Sequence, residues 1–459
     1  MTQTTAQDIF ELDGPSGNTV LGNLGELGEN PLAFLTKCDR DYGDIVPLRL
    51  GPTPACLITH PDLIKEVLKN RTAFIKSRGF RALNRLLGNG LLTNEGDSWF
   101  RQRRLMQPVF HRKRIEGYGS IMVDYTEKML NDWQSEGQPE APRDIHADMM
   151  RLTLNIVMKA LFNQDVSTGE AETVAHALDV AMEWFDSKRR QNFFIVEWFP
   201  RPENIRYRNA IKAMDNSIYD IIQQRRESGE DPGDLLSMLM AARDEDDGSG
   251  MSDQQLRDEI ATLMLAGHET TANTLSWTWM LLAQHPEVEA NLHKELQQVL
   301  EGRSPTTEDL QKLPYANAII KESMRMYPPV SVLGREATTD VVVGDYLIPK
   351  NCVVIISQWV MHHSPNYFDN AQRFSPERWL EKPGEQPLEK RLPQGVYFPF
   401  GDGPRICIGK GFALMEAVLI LATIAQRYQF VLEPGHTITP QSSITLRPEH
   451  GIQATLKAR

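Results

Sequence analysis

Through most of the chain, apolar residues recur three and four positions apart, the spacing that gives a helix one buried face. It predicts helices near 115–136, 145–163, 169–190, 204–228, 252–300 and 409–428. Short β-branched runs predict strands at 45–50 (IVPLRL), 55–59 (ACLIT), 340–348 (DVVVGDYLI), 353–357 (VVIIS) and 452–456 (IQATL). The strands come from both ends of the chain and the helices from its middle. The expected fold is therefore mainly α, of the α+β class, with a small sheet joining the two ends. Polar stretches at 227–234, 244–250 and 381–390 read as surface connections within one unit spanning 1–459, its first 28 or so residues loosely ordered.

Composition narrows the class. Hydrophobic residues at 41% and charged residues at 24% of 459 positions are those of a folded globular protein. A formal charge of −12 argues against a nucleic-acid role resting on overall positive charge. The N-terminal stretch has no basic run followed by an apolar one, and no apolar run reaches the length of a membrane span, so the expected protein is cytoplasmic, with no membrane anchor. The four cysteines, Cys38, Cys56, Cys352 and Cys407, show no paired spacing, which points to a reducing compartment.

Cys407 stands apart. It lies in FPFGDGPRICIGKG (398–411), where Gly401, Gly403 and Gly409 keep bulk away from one sulfur just before a predicted helix. A helix N-terminus favours the thiolate, and a thiolate can hold a metal. None of the eleven histidines has a metal-ligand spacing; His268 reads as a helix residue pointing elsewhere, and His362 and His363 as ordinary polar residues.

The spacing of Phe400, Gly403, Arg405, Cys407 and Gly409 resembles the haem-binding loop of the cytochrome P-450 superfamily. Further motifs carry the resemblance over residues 30–457 in the family order. Glu322 and Arg325 in KESMRMYPP, with Arg378 in FSPERW, resemble the family's structural triad. Trp99 and Arg103 in SWFRQRR match its pattern for a haem propionate, with Arg335 and Arg405 as further partners. In AGHETT the resemblance places Ala266 and Gly267 over the haem face, where they open a local widening of the helix. It gives Glu269 and Thr270 the handling of protons, with Thr270 bonding the oxygen.

The resemblance implies haem b held by Cys407 and insertion of one atom of O2 into a hydrophobic molecule, by hydroxylation or epoxidation. The alternatives are a haem-thiolate isomerase or dehydratase acting on a peroxide, and a haem sensor. Val330, Leu333, Ile444 and the segments 77–92 and 185–199 are the implied substrate walls, suited to a fatty acid, terpenoid or retinoid-like compound. AGHETT leans toward long-chain fatty-acid hydroxylases, for which Arg78, Arg81 or Arg189 could meet a carboxylate. Electrons are expected from NAD(P)H through a separate acidic ferredoxin or flavodoxin. It would dock on the basic run holding Arg101, Arg104, Arg112, Lys113 and Arg114.

Overall fold

The apolar run at 252–300 folds as two helices, Asp253–Gln284 and Pro286–Leu300. Pro286 supplies the break: it has no N–H to donate and restricts the residue before it, and His285 accordingly leaves the helical region with φ −130° and ψ 74°. The Asp253–Gln284 helix starts where the Ser252 hydroxyl accepts from the Gln255 N–H at 3.2 Å, and it is buried for most of its length. It crosses the Ile145–Phe162 helix so closely that a Cβ on Gly267 would stand 3.0 Å from Val157 Cγ2. That crossing is one reason for a mid-helix glycine, which otherwise costs about 1 kcal/mol relative to alanine.

In a computed structural model that describes residues 6–135, 141–165, 169–186 and 200–459, further helices surround this one. They include Gly119–Ser135, Gly169–Asp186, Pro202–Ser228, Pro314–Met326 and Lys410–Ala425. The last of these, which follows the cysteine loop, is apolar on nearly every side and almost wholly buried.

A five-stranded sheet runs in the order Ile45–Leu50, Thr53–Ile58, Val353–Ser357, Val332–Ala337 and Phe74–Lys76. Its register places Lys76 opposite Arg335 on the outer pair of strands. The run at 340–348 is a hairpin of Val341–Val343 and Tyr346–Ile348, reversed at Gly344 with φ +56°. The C-terminal strand, Gln453–Ala458, does not join the five-stranded sheet; it pairs with Tyr428–Leu432 and Arg143–Asp144. The Asp144 carboxylate fixes this arrangement by accepting from the Ile452 N–H at 3.0 Å.

Candidate functional site

One cavity collects residues from the whole length of the chain. Trp99, Arg103, Ala266, Gly267, Glu269, Thr270, Val330, Leu333, Arg335, Phe400, Arg405, Cys407, Gly409 and Ile444 all line it. It encloses about 300 Å³, at the lower end of the roughly 300–1,000 Å³ typical of small-ligand pockets.

The floor is the cysteine loop. The Gly401 N–H donates to Phe398 O at 2.8 Å and the Cys407 N–H to Phe400 O at 2.9 Å, folding the loop back on itself. Gly403 has φ +69°, and a Cβ there would lie 2.6 Å from Leu68 O, so this turn needs glycine. The loop's other anchor is a buried histidine. His362 Nε2 accepts from the Phe398 N–H at 3.1 Å, and burial holds its pKa far below the usual value. His362 is thus a neutral support of the loop, a role that its place in MHHSP did not announce.

The Cys407 sulfur reaches the cavity yet is crowded by protein on its other sides, so burial pushes its thiol pKa up. The Gly409 and Lys410 N–H groups and the charges of Arg103 and Lys410 oppose that rise. The helix terminus favours the thiolate, as its position before a helix predicts, but burial is the larger effect in the protein alone.

Beside the sulfur stands a cluster of cations. Lys76, Arg103, Arg335 and Arg405 line the same cavity, and the acid among them, Glu95, is ion-paired to Arg405. Arg405 also lies 4.3 Å over the Trp99 ring and donates twice to Asn94 O at 3.1 Å. Desolvation, then the charges of Arg335 and Arg405, press the Lys76 pKa well below the usual lysine range. Desolvation, then Arg405, pushes Arg335 down to about 10. Such crowding of like charge calls for anions. These residues fit a group that brings two carboxylates close to Cys407, as haem with its two propionates would. Lys76 went unnoticed in the sequence because only the strand register brings it opposite Arg335.

The roof is the Asp253–Gln284 helix. It is unbroken at Ala266 and Gly267, with no local widening, and the Thr270 hydroxyl donates to Ala266 O at 2.7 Å. Glu269 is 3% exposed and accepts from the Thr445 hydroxyl at 2.6 Å, and Thr445 in turn accepts from Asn273 at 3.1 Å. The acid therefore faces the C-terminal hairpin rather than solvent. His268 points away from the cavity, its Nε2 3.0 Å from Met150 O.

A clamp ties a cavity-lining loop to this helix. The Asn89 N–H donates to Asp258 and the Leu91 N–H to Glu259, each at 2.9 Å, while Arg257 donates to Leu86 O at 2.9 Å. Burial raises the Glu259 pKa to about 8. The native state therefore holds a proton that the unfolded chain releases above about pH 4.5. Stability from this group is full below that pH and is lost as pH rises toward 8, by up to about 1.4 kcal/mol per pH unit. Glu259→Gln is expected to flatten that part of the slope in denaturant unfolding between pH 5 and 8; an unchanged slope would show that Glu259 is ionised in the native protein.

Behind the floor, Glu322 accepts from Arg325 at 2.9 Å, from Arg378 at 3.0 Å and from Trp379 Nε1 at 2.7 Å. Arg325 is wholly buried and donates on to the carbonyls of His362, Ala371 and Arg373 at 2.9, 2.7 and 3.2 Å. Trp379 and the three carbonyls are partners that the spacing of the triad did not reveal.

Other expected residues are occupied elsewhere. Arg78 and Arg81 bind Glu336 at 2.9 and 3.0 Å. Arg101 and Arg104 bind Asp244 at 2.9 and 2.6 Å, and Arg112 binds Glu116 at 2.7 Å. Arg189 and most of the wall expected at 185–199 lie outside the described residues. Among the described residues, no helix is long and apolar enough to cross a membrane.

A family model described as Cytochrome P450 matches residues 12–456. A cyclooctat-9-en-7-ol 5-monooxygenase from Streptomyces melanosporofaciens is 36% identical over 92% of this chain and 90% of its own length. A pentalenene oxygenase from Streptomyces avermitilis is 33% identical over 97% of both chains. Cytochrome P450 709B1 of Arabidopsis thaliana is 31% identical over 97% of this chain and 91% of its own. With a thiol facing a cation-edged cavity and a match over nearly the full length, the chain belongs to the cytochrome P450 family and is a haem monooxygenase.

Proposed function

We propose that this monooxygenase acts on a neutral terpenoid. The observation that carries this reading is the substrate side of the cavity, where Phe80, Leu91, Leu92, Val330, Leu333 and Ile444 present hydrocarbon. Two of the three arginines that could meet a fatty-acid carboxylate, Arg78 and Arg81, are held by Glu336. Relatives named for cyclooctat-9-en-7-ol and pentalenene support the same class over the fatty acid toward which AGHETT leans.

In this reading Cys407 holds the haem iron, and Lys76, Trp99, Arg103, Arg335 and Arg405 hold the propionates. Bound haem supplies the redox chemistry by which one atom of O2 enters a C–H or C=C bond. Phe400 and Gly409 frame the sulfur, and Ala266 and Gly267 leave the opposite side uncrowded. Thr270 holds a hydroxyl at that side and hands a proton to the cavity, its bond to Ala266 O keeping the oxygen in place. Glu269 restores the proton after its carboxyl turns from Thr445.

Electrons come from NAD(P)H through a separate acidic ferredoxin or flavodoxin in the cytoplasm. Lys113 and Arg114, which make no ion pair among the described residues, meet it first; Arg101 and Arg104 are already ion-paired, both to Asp244 and Arg104 also to Asp246. The test is turnover of a neutral cyclic terpene with a surrogate ferredoxin and its reductase. Thr270→Ala is expected to keep consuming NAD(P)H while product falls about tenfold and peroxide rises, less than the roughly 10²-fold that a lone positioned proton donor supplies, since Glu269 and water remain. Unchanged product per NAD(P)H would remove Thr270 from proton handling.

A further inference from the structure

The polar stretch at 244–250, DEDDGSG, sets four carboxylates in a row, and like charges so placed repel one another unless cations take them up. Gly248, with φ +69°, closes the stretch into a turn, in which the Asp244 N–H donates to Ser249 O and the Gly248 N–H to Asp244 O, each at 2.9 Å. This turn lies against the Gly96–Met106 helix, which carries the first part of the basic run. Arg101 donates to the Ser249 hydroxyl at 2.6 Å and is paired with Asp244 at 2.9 Å, while Arg104 Nη2 donates to both Asp244 and Asp246 at 2.6 Å. The two aspartates sit there differently. The Asp244 side chain is 2% exposed and is shared by two arginines, so it belongs to the packed structure. The Asp246 side chain is 75% exposed and gives Arg104 a single bond, where a carboxylate set square to a guanidinium makes two. It holds Arg104 as a carboxylate arriving from outside would, and solvent and salt weaken that hold.

We propose that Asp246 stands in for a carboxylate of the electron donor on Arg104, and that an acidic donor docks there by exchanging its own carboxylate for it. This rests on the reading of an acidic donor at the basic run. The exchange breaks one arginine–carboxylate pair and forms another, so contact at Arg104 alone brings little net attraction. Lys113 and Arg114 have no such pair to give up, and the pull comes from them. A donor whose carboxylates reach only Arg104 therefore gains almost nothing, whereas one that spans Arg104 and the Lys113–Arg114 end docks. The turn acts as a filter on which acidic proteins bind, because specificity is a difference between affinities and an internal competitor lowers the wrong one most.

The test is the dissociation constant of a surrogate acidic ferredoxin for the haem-loaded protein, measured by calorimetry. Asp246→Asn is expected to tighten binding about three- to fivefold at about 50 mM salt, the reach of one exposed ion pair, and the gain is expected to fade by about 500 mM. Glu245→Gln removes the same charge from the same turn, but Glu245 is exposed and makes no ion pair among the described residues, so its effect should stay below about twofold. In an Arg104→Gln background, Asp246→Asn should gain no more than Glu245→Gln does. Equal gains from the two acid variants, no gain from Asp246→Asn, or a gain that survives the loss of Arg104 would overturn the exchange. Should Arg104→Gln not fold, the comparison of Asp246→Asn with Glu245→Gln decides. Lys113→Gln combined with Arg114→Gln tests the reading beneath: weakened binding upholds the basic run as the docking face even if Asp246 proves idle, and a ferredoxin that does not bind, or binds this variant as well as the wild type, would remove that face and the exchange with it.

Discussion

Cys407→His is expected to bring oxygenation down to background while haem remains detectable in the purified protein. Imidazole can hold iron, and the cation cluster proposed to meet the propionates is untouched by the change. What is lost is the thiolate's push of electron density, which favours O–O cleavage. The cavity offers no replacement, because Cys407 is the cysteine among its lining residues and His268 points to Met150 O. Product formation and haem absorbance, measured on one preparation, check the point. Hydroxylation at the wild-type rate would mean that the sulfur is not the ligand.

Glu322→Ala is expected to destabilise the fold by about 3–5 kcal/mol, because it strands a wholly buried arginine charge. Natural domains hold only about 5–15 kcal/mol in all. Here the carboxylate has four side-chain and backbone donors: Arg325, Arg378, Trp379 and the Ser375 N–H at 3.0 Å. Its loss reaches the cysteine through one connection. Arg325 grips the carbonyl of His362, and His362 holds the Phe398 N–H at the start of the loop. Haem retention should therefore fall along with the denaturation midpoint. A variant within about 0.5 kcal/mol of wild type, the range of ordinary surface changes, would show that the triad contributes no structural support.

The helices and most strands were readable because periodicity reports burial directly. The break at His285 was also present in the sequence, in Pro286, but continuous apolar spacing on both sides obscured it. The partnership of strands was harder. Nothing local tells Gln453–Ala458 to pair with Tyr428–Leu432 and Arg143–Asp144, since that choice depends on which edges lie within reach. The site divided in the same way. Residues whose chemistry is unusual for their place, such as Cys407 among glycines or the AGHETT run in mid-helix, stand out alone. Lys76, Glu95 and Thr445 do not, because each acquires its meaning from a partner far away in the chain. The basic run at 98–115 shows the converse. Its charge looked available, but Asp244 from a distant loop neutralises part of it.

The most direct test of the central claim is optical titration of the purified ferric protein with a neutral cyclic terpene and, separately, with a long-chain fatty acid. Haem absorbance is expected in the protein as purified, together with a saturable low-spin to high-spin shift with the terpene that the fatty acid does not produce. A shift with the fatty acid alone would contradict the neutral-substrate reading, and a protein that binds no haem would contradict the assignment of the cavity itself.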